Sequence, residues 1–494
     1  MDEVTGPEAA TRSLAKEAFD TIKKLWEWGP SQIALGVLCF VVVYAWQACG
    51  PSSSSAAAPS LRPASGLFVA PQEPLVPLDI LAVDSTSHTC ADQLAAAAIE
   101  PRDVDCAHVN LAPPIPVGLR THSLNLSYAT VGSDLNVHGV EIGKLELRGA
   151  KVGTLSVKSE ACDAGLPTFV ETVTIGNADI GTLELEVGDG GAAVAIGRLE
   201  ISNSRLRALE LRGAVVNQLI IRSSTVESIV LERSSVTEQL EVESVETKGK
   251  FAIMSSHVKD LRVITSSFHE IEARPADKKE DEDPPQPGSN IEKWEMRTVQ
   301  VPSVKVDASS VGRIDFDSVT SPGRLKLEGA LVQTFELNAS SVGRLAMDAK
   351  SKTKLQTKLG GMSISNSKIT RWDVADGTTL GDSPSVSGSS FETVSLKGTR
   401  AEEIDFGTSS VKQLDLGDAM SWKGGEVSSF EHERATEGVL AHLRRNSAFN
   451  HHAWTAFEKQ LRDQGSQRQA NQVHVAGLQR SRRLPQSGTP SRWV

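Results

Sequence analysis

Large apolar residues recur at every fifth position over much of the chain. Between Ile196 and Val236 they fall at Ile201, Leu206, Leu211, Val216, Ile221, Val226, Leu231 and Val236. Two residues before each stands a second inward candidate: Leu199, Ser204, Leu209, Ala214, Leu219, Ser224, Ile229 and Ser234. This second series alternates large and small, so the full motif repeats every ten residues. The same register returns at Ile142, Leu147, Val152 and Val157, at Leu327, Val332, Leu337, Val342 and Met347, and at Phe391, Leu396, Ala401, Phe406 and Val411. A spacing of five walks steadily round a helix, whose residues are about 100° apart. On a short strand, residues i and i−2 point to the same side. The pattern therefore predicts an all-β solenoid, in which short parallel strands stack ~4.8 Å apart and share one continuous core that no single coil could bury. From Leu135 to Leu416 about twenty-four half-coils predict a rod of ~55–60 Å. The alternation of Leu with Ser or Ala predicts opposed walls of different width.

The flanks follow other periods. Residues 33–46, IALGVLCFVVVYAW, carry no charge, with Trp26 and Trp28 before the run and Tyr44 and Trp46 closing it. Extended to residues 31–49, the run has about the length that crosses ~30 Å of hydrocarbon, with aromatic rings at both interfaces. A buried core helix is the competing reading. Arg12, Lys16, Lys23 and Lys24 precede the run and only Arg62 follows closely. That asymmetry predicts a single-pass protein with residues 1–30 in the cytoplasm and the bulk of the chain outside, in a periplasm-like space. Cys49, followed by Ser and Ala, invites a lipid anchor, but Trp46-Gln47-Ala48 lacks the aliphatic residue such a site places three back. Residues 50–78 read as a Pro/Ser/Ala tether and 79–122 as an N-terminal cap. The solenoid is assigned to 123–420, with interruptions expected around 158–169, 188–195, 349–360 and 376–387 and a mobile acidic, Pro-rich loop at 275–290. Past 428 the period becomes helical. Val439, Leu440 and Leu443 mark one helix, and Trp454, Phe457 and Leu461 a second over 452–464. Gly465 follows it, and Ala470, Val473 and Leu478 mark a third. The tail covers 428–484, and 485–494 reads as a disordered end.

The five-residue period, with an apolar centre and a small or apolar residue two before it, resembles the pentapeptide-repeat proteins. The resemblance covers roughly Ser123 to Met420. It implies a right-handed quadrilateral β-helix of four five-residue walls, twenty residues per coil. The family favours Asp or Asn just before the centre, where this chain has Arg205, Glu210, Val215, Ile220 and Thr225. The segment VLAHLRRNSAFNHHAWTAFEKQLRDQGSQRQANQVHVAGLQRSRR resembles the helical tail of bacterial membrane-associated members. In those relatives membrane spans follow the tail. Here the one span lies before the solenoid, so a channel or transport role does not carry over.

Composition changes the picture little and charge changes it more. Aromatics are 5% of 494 residues, and five Cys exclude a disulfide-built scaffold. The net charge of −11 disfavours a general nucleic-acid coat. From Arg444 to Val494, however, nine Lys or Arg face only Glu458 and Asp463. This basic end makes Arg444, Arg445, Arg480, Arg482 and Arg483 candidates for docking to an anionic lipid surface or a protein partner. A solvated Arg-rich helix pair is the alternative. Cys90 and Cys106 flank a short helical stretch and can pair if the cap lies outside the cytoplasm. Cys162 would stay free. No nucleotide loop, zinc spacing or nucleophile elbow is present, so no metal or cofactor is expected. The reading is a membrane-tethered scaffold or interaction rod without catalysis. Two alternatives stand beside it: a polysaccharide-acting β-helix enzyme, and an acidic inhibitor imitating nucleic acid. Few aromatics remain for a sugar groove, since Trp372 points inward by register. Arg205, Arg207, Arg212, Arg222 and Arg233 interrupt the acidic walls that mimicry needs.

Overall fold

The computed structural model describes residues 90–108, 115–159, 167–188, 193–277, 288–349, 355–381, 384–415, 421–430, 439–441, 443–444 and 449–483. All belong to the compact unit that begins at Thr86. The expected span, the tether, Cys162 and Arg445 lie outside the described residues. No helix among the described residues is long and apolar enough to cross a membrane.

The unit is a parallel β-solenoid. Among the described residues twenty-nine strands run from β1 (Val104–Asp105) to β29 (Glu426–Phe430), so the ladder reaches past 123–420 at both ends. One sheet holds fifteen strands, β1 followed by the even-numbered ones from β2 (Arg120–Asn125) to β28 (Ser421–Lys423). The other holds the fourteen odd-numbered strands from β3 (Thr130–His138) to β29. From β2 onward each strand pairs with the next but one, so the chain alternates between sheets and climbs one coil every two strands. Fifteen strands at ~4.8 Å make a rod roughly 65 Å long.

Strands β9 (Arg205–Arg212) and β10 (Val215–Arg222) show how one motif builds a half-coil. Leu206, Leu209 and Leu211 point inward from the first, and Val216, Leu219 and Ile221 from the second, all fully buried. Val226 and Leu231 continue the same core from β11 (Thr225–Glu232). The residue after the first inward one drops out of the ladder, as Asn217 does between Val216 and Gln218. The strand bends there. Glycine at this place lets coils approach: a Cβ on Gly181 would lie 2.2 Å from the carbonyl oxygen of Gly153. At the strand end one residue turns left-handed, such as Asn203 (φ 48°), Gly213 (φ 67°) or Ser223 (φ 48°).

The small member of the alternating series follows that turn, and it overturns the expectation about wall width. Ser204, Ser224, Ser234 and Ser256 all sit in turn corners, on both sheets. With a period of ten in a coil of about twenty, opposite walls are alike and adjacent walls differ. The turn leaves a backbone N–H outside the ladder, and a buried hydroxyl from the next coil accepts it. Ser204 N donates to Ser224 Oγ at 3.1 Å, and Ser224 Oγ donates to the Arg222 carbonyl at 2.7 Å. Ser367 N donates to Ser389 Oγ and Ser389 N to Ser409 Oγ in the same way. A hydroxyl is favourable here because a buried, unpaired amide is costly, although Ala214 and Val245 hold the same place without one.

Between the described strands, insertions leave only from turns that join an odd strand to the following even one. Four do so: 160–167, 188–193, 275–289 and 349–357. The segment expected as a loop at 376–387 is instead threaded into the ladder, where Thr379 bridges Lys358 and Arg400. The expected interruption at Lys158 also starts later, since Lys158 lies within strand Lys151–Ser159. The fourteen turns from even to odd strands carry no insertion anywhere from Leu126 to Gly425.

The ends are capped. Helix α1 (Cys90–Ala97) buries Leu94 and Ala97, and a disulfide joins Cys90 to Cys106 beside β1. At the other end α2 (His451–Asp463) buries Ala453, Trp454, Phe457 and Leu461. Asn450 ties it down: its amide donates to the carbonyls of Gly424 and Gly425, and its Oδ1 accepts the Ala453 N–H. Gly465 (φ 78°) ends α2 in a Schellman turn, with Ser466 N bonded to Leu461 O. Helix α3 (Gln467–Arg483) buries Ala470, Val473 and Gly477, the last against the Trp454 ring. Leu478 was expected in that stripe but is 44% exposed, because i, i+3, i+7 from Ala470 reaches residue 477 and leaves 478 about 100° away.

Candidate functional site

Outward positions on the two sheets follow a charge rule. Residues two apart on a strand share a face, and many such pairs join a cation to an acid. Lys144 Nζ lies 2.7 Å from Glu146, Arg198 3.0 Å from Glu200, Arg212 2.7 Å from Glu210, Arg262 2.7 Å from Asp260 and Lys326 2.7 Å from Glu328. Across coils the pairs interlock, as Arg222 with Glu241 and Lys158 with both Glu184 and Glu186. The Glu186 hydrogen bond holds the Lys158 ammonium above its ordinary value despite partial burial, and Lys158 lowers Glu186 in return. Glu295 is nearly buried between Lys293 and Arg297. Burial alone would push its carboxyl up, but the Lys293 hydrogen bond and the charges of Lys293, Arg297 and Arg262 together hold it below 4.5. Exposed pairs of this kind contribute ~0.2–1 kcal/mol each, so their main effect is to cancel charge along the walls.

Among the described residues the rule is broken on successive strands at one place. On β19 (Thr320–Glu328), β21 (Ser341–Asp348) and β23 (Lys368–Val374), Arg324, Arg344 and Arg371 occupy the same register. Two residues on from Arg324 stands Lys326, and from Arg344 stands Ala346, where the rule asks for an acid. Arg344 and Arg371 share one carboxylate, Asp373, at 2.7 Å each. Like charges facing each other on neighbouring strands repel. No other three cations fall in register on successive strands among the described residues.

A concavity lies between β29 and α2. This open groove of about 760 Å³ is lined by Glu426, Ser428, His452, Lys459 and Asp463 among others. No three His, Cys, Asp or Glu among the described residues are placed to hold a metal ion.

The residues singled out by sequence are distributed as follows. Leu206, Leu211, Val216, Ile221, Val226 and Leu231 come together in the core, and Cys90 and Cys106 in the cap. Arg480, Arg482 and Arg483 share the last turn of α3, where cations favour the carbonyl end of the helix dipole. Arg482 and Arg483 are exposed and Arg480 is half-buried. Arg444 is exposed on a separate helical piece. Sequence reasoning missed the Arg324, Arg344 and Arg371 column. Its chain spacing is 20 and then 27, because the insertion at 349–357 intervenes; only coil-by-coil alignment exposes it.

The fold defines the class: a capped, two-sheet parallel β-solenoid. No family model, curated protein or solved structure matches the chain.

Proposed function

We propose that this protein is a membrane-tethered, non-catalytic interaction rod of the pentapeptide-repeat kind, anchored by residues 31–49 and standing outside the cytoplasm. The observation that carries the reading is the corner kept free of insertions over fourteen turns, while the corner opposite bears four. An uninterrupted edge with flat, mostly charge-cancelled walls suits a long partner laid alongside. The ladder gap at the mid-strand bend, together with the left-handed turn, breaks each coil into short limbs and supports the pentapeptide-type cross-section. The Cys90–Cys106 bond supports an oxidising compartment. The tail arginines Arg444, Arg445, Arg480, Arg482 and Arg483 serve as a docking end for an anionic surface or the protein partner.

The test is fractionation of cells producing the full chain and a variant lacking residues 31–49. The full chain should stay in a carbonate-washed membrane pellet, the deletion should be released, and external protease should reach the solenoid. Cross-linking should then capture neighbours along the rod. Release of the full chain by carbonate, or protection of the solenoid from external protease, would overturn the tether or its orientation. Turnover of polysaccharide by the purified chain would overturn the non-catalytic reading.

A further inference from the structure

The column Arg324, Arg344 and Arg371 is the one run of three Lys or Arg in register among the described residues, and its position gives it a use. We propose that this wall binds a single acidic polysaccharide chain laid along the rod axis across β19, β21 and β23.

Three observations converge. The arginines stand on successive strands, so their backbone positions repeat at the inter-strand distance, ~4.8 Å, which is about the advance of an extended chain carrying one carboxylate per sugar. Arg344 and Arg371 both bond Asp373, and two residues on from Arg324 stands Lys326 in place of an acid, so the column itself is three cations in register with no acid among them. Lys368, exposed at the start of β23, adds to the same wall. The wall is also low and unobstructed. Odd strands begin at the corner without insertions, and on two of the three strands the outward residues between that corner and the arginine are short: Thr320, Pro322 and Gly323 on β19, Ser341 and Gly343 on β21. A Cβ on Gly343 would lie 2.0 Å from the Pro322 carbonyl oxygen, so the floor cannot be raised there without parting the coils. Arginine planes dock carboxylates in bidentate fashion.

Other polyanions fit less well. Single-stranded nucleic acid binds through aromatic platforms beside cations, and none of the exposed large apolar residues lies on β19, β21 or β23. A bilayer meets a broad cationic face or an apolar one, and this strip is one guanidinium wide. The Cys90–Cys106 bond favours a compartment where acidic polysaccharides occur. The inference does not depend on the membrane tether.

The experiment is fluorescence anisotropy with the detergent-solubilised full chain and a labelled oligogalacturonate at low salt. Wild type should bind saturably and weaken as salt rises. The pair Arg324→Ser with Arg344→Ser should weaken binding at least tenfold, and Arg324→Lys with Arg344→Lys should restore part of it. Arg198→Ser, which removes a cation already paired with Glu200, should leave binding unchanged. Thermal melts of each variant show whether the solenoid is intact, and the Lys pair keeps the test readable if the Ser pair melts early. Failure of wild type to bind, equal loss in the Arg198 variant, or equally tight binding of single-stranded DNA or anionic vesicles would each overturn the proposal.

Discussion

Two corners of the same rod are built from the same ten-residue motif and have accumulated different things. At both, a left-handed residue turns the chain and a small buried residue follows, as Asn203-Ser204 at one and Arg233-Ser234 at the other. At both, a hydroxyl from the next coil accepts the turn's spare N–H. The first corner runs without an insertion through fourteen turns, while the second releases segments of up to fifteen residues, at 275–289. Local chemistry is therefore not what separates them. The difference teaches that a solenoid corner tolerates loops easily, and that their absence from one edge calls for an explanation outside the coil.

If the corners are equal as structure, the core beneath them should be equally demanding. Ile221, in the wall leading to the insertion-free corner, is fully buried. Ile221→Ala should cost about 2–5 kcal/mol, and Ile221→Asp should unfold the surrounding coils, since an unpaired buried carboxylate has no compensating partner. Leu231, in the wall leading to the other corner, should give the same losses in urea unfolding followed by far-ultraviolet circular dichroism. A strong inequality would break the comparison at its root.

The hydroxyl ladder provides the next test. Ser224→Val at the insertion-free corner removes the acceptor of the Ser204 N–H, and Ser256→Val at the other removes that of Ser234, at 3.0 Å. Each leaves a buried amide without a partner and should cost about 1–3 kcal/mol. Ser224→Ala orphans the same amide without added bulk, so a Val loss far above the Ala loss would measure crowding instead.

A smaller effect comes from the walls. Glu295→Gln should cost about 1 kcal/mol at neutral pH, the upper range for a surface pair. Because its environment lowers the Glu295 pKa below 4.5, the charged form favours the fold. That contribution is present above the unfolded value and fades as pH falls through the lower folded value. The stability gap between wild type and Glu295→Gln should therefore be open at pH 7 and narrow as pH falls below the ordinary carboxylate range. A gap that persists in acid would assign the loss to packing.

Most of the solenoid was legible because its core is periodic in the chain. Leu206, Leu211, Val216 and Ile221 announce themselves at every fifth place. Ser204 and Ser224 were visible too, but their alternation with leucine looked like a difference between walls, since the turn that places them leaves no hydrophobic mark. Leu478 fitted a helical stripe almost as well as Gly477, and the choice was made by Trp454, distant in sequence. The candidate site was hidden for a related reason. Arg324, Arg344 and Arg371 are neighbours only after the loop between Arg344 and Arg371 is removed, and the charge rule they break is a property of coils in register.

A last test bears most directly on what the insertion-free corner is for. Placing six Gly/Ser residues between Asn203 and Ser204, or between Arg233 and Ser234, lengthens a two-residue turn to eight. Loop closure then costs only about 1.2 kcal/mol, two doublings at about 0.6 each, and the native insertions at 160–167 and 275–289 indicate that the coil accepts the geometry. Both variants should melt together. Only the first places bulk on the smooth edge, so only the first should lose the cross-linked neighbours of the rod. If instead the first variant melts well below the second, the edge is bare because its turns cannot be opened, and its reading as a docking edge falls. If both retain their neighbours, the partner lies on another wall.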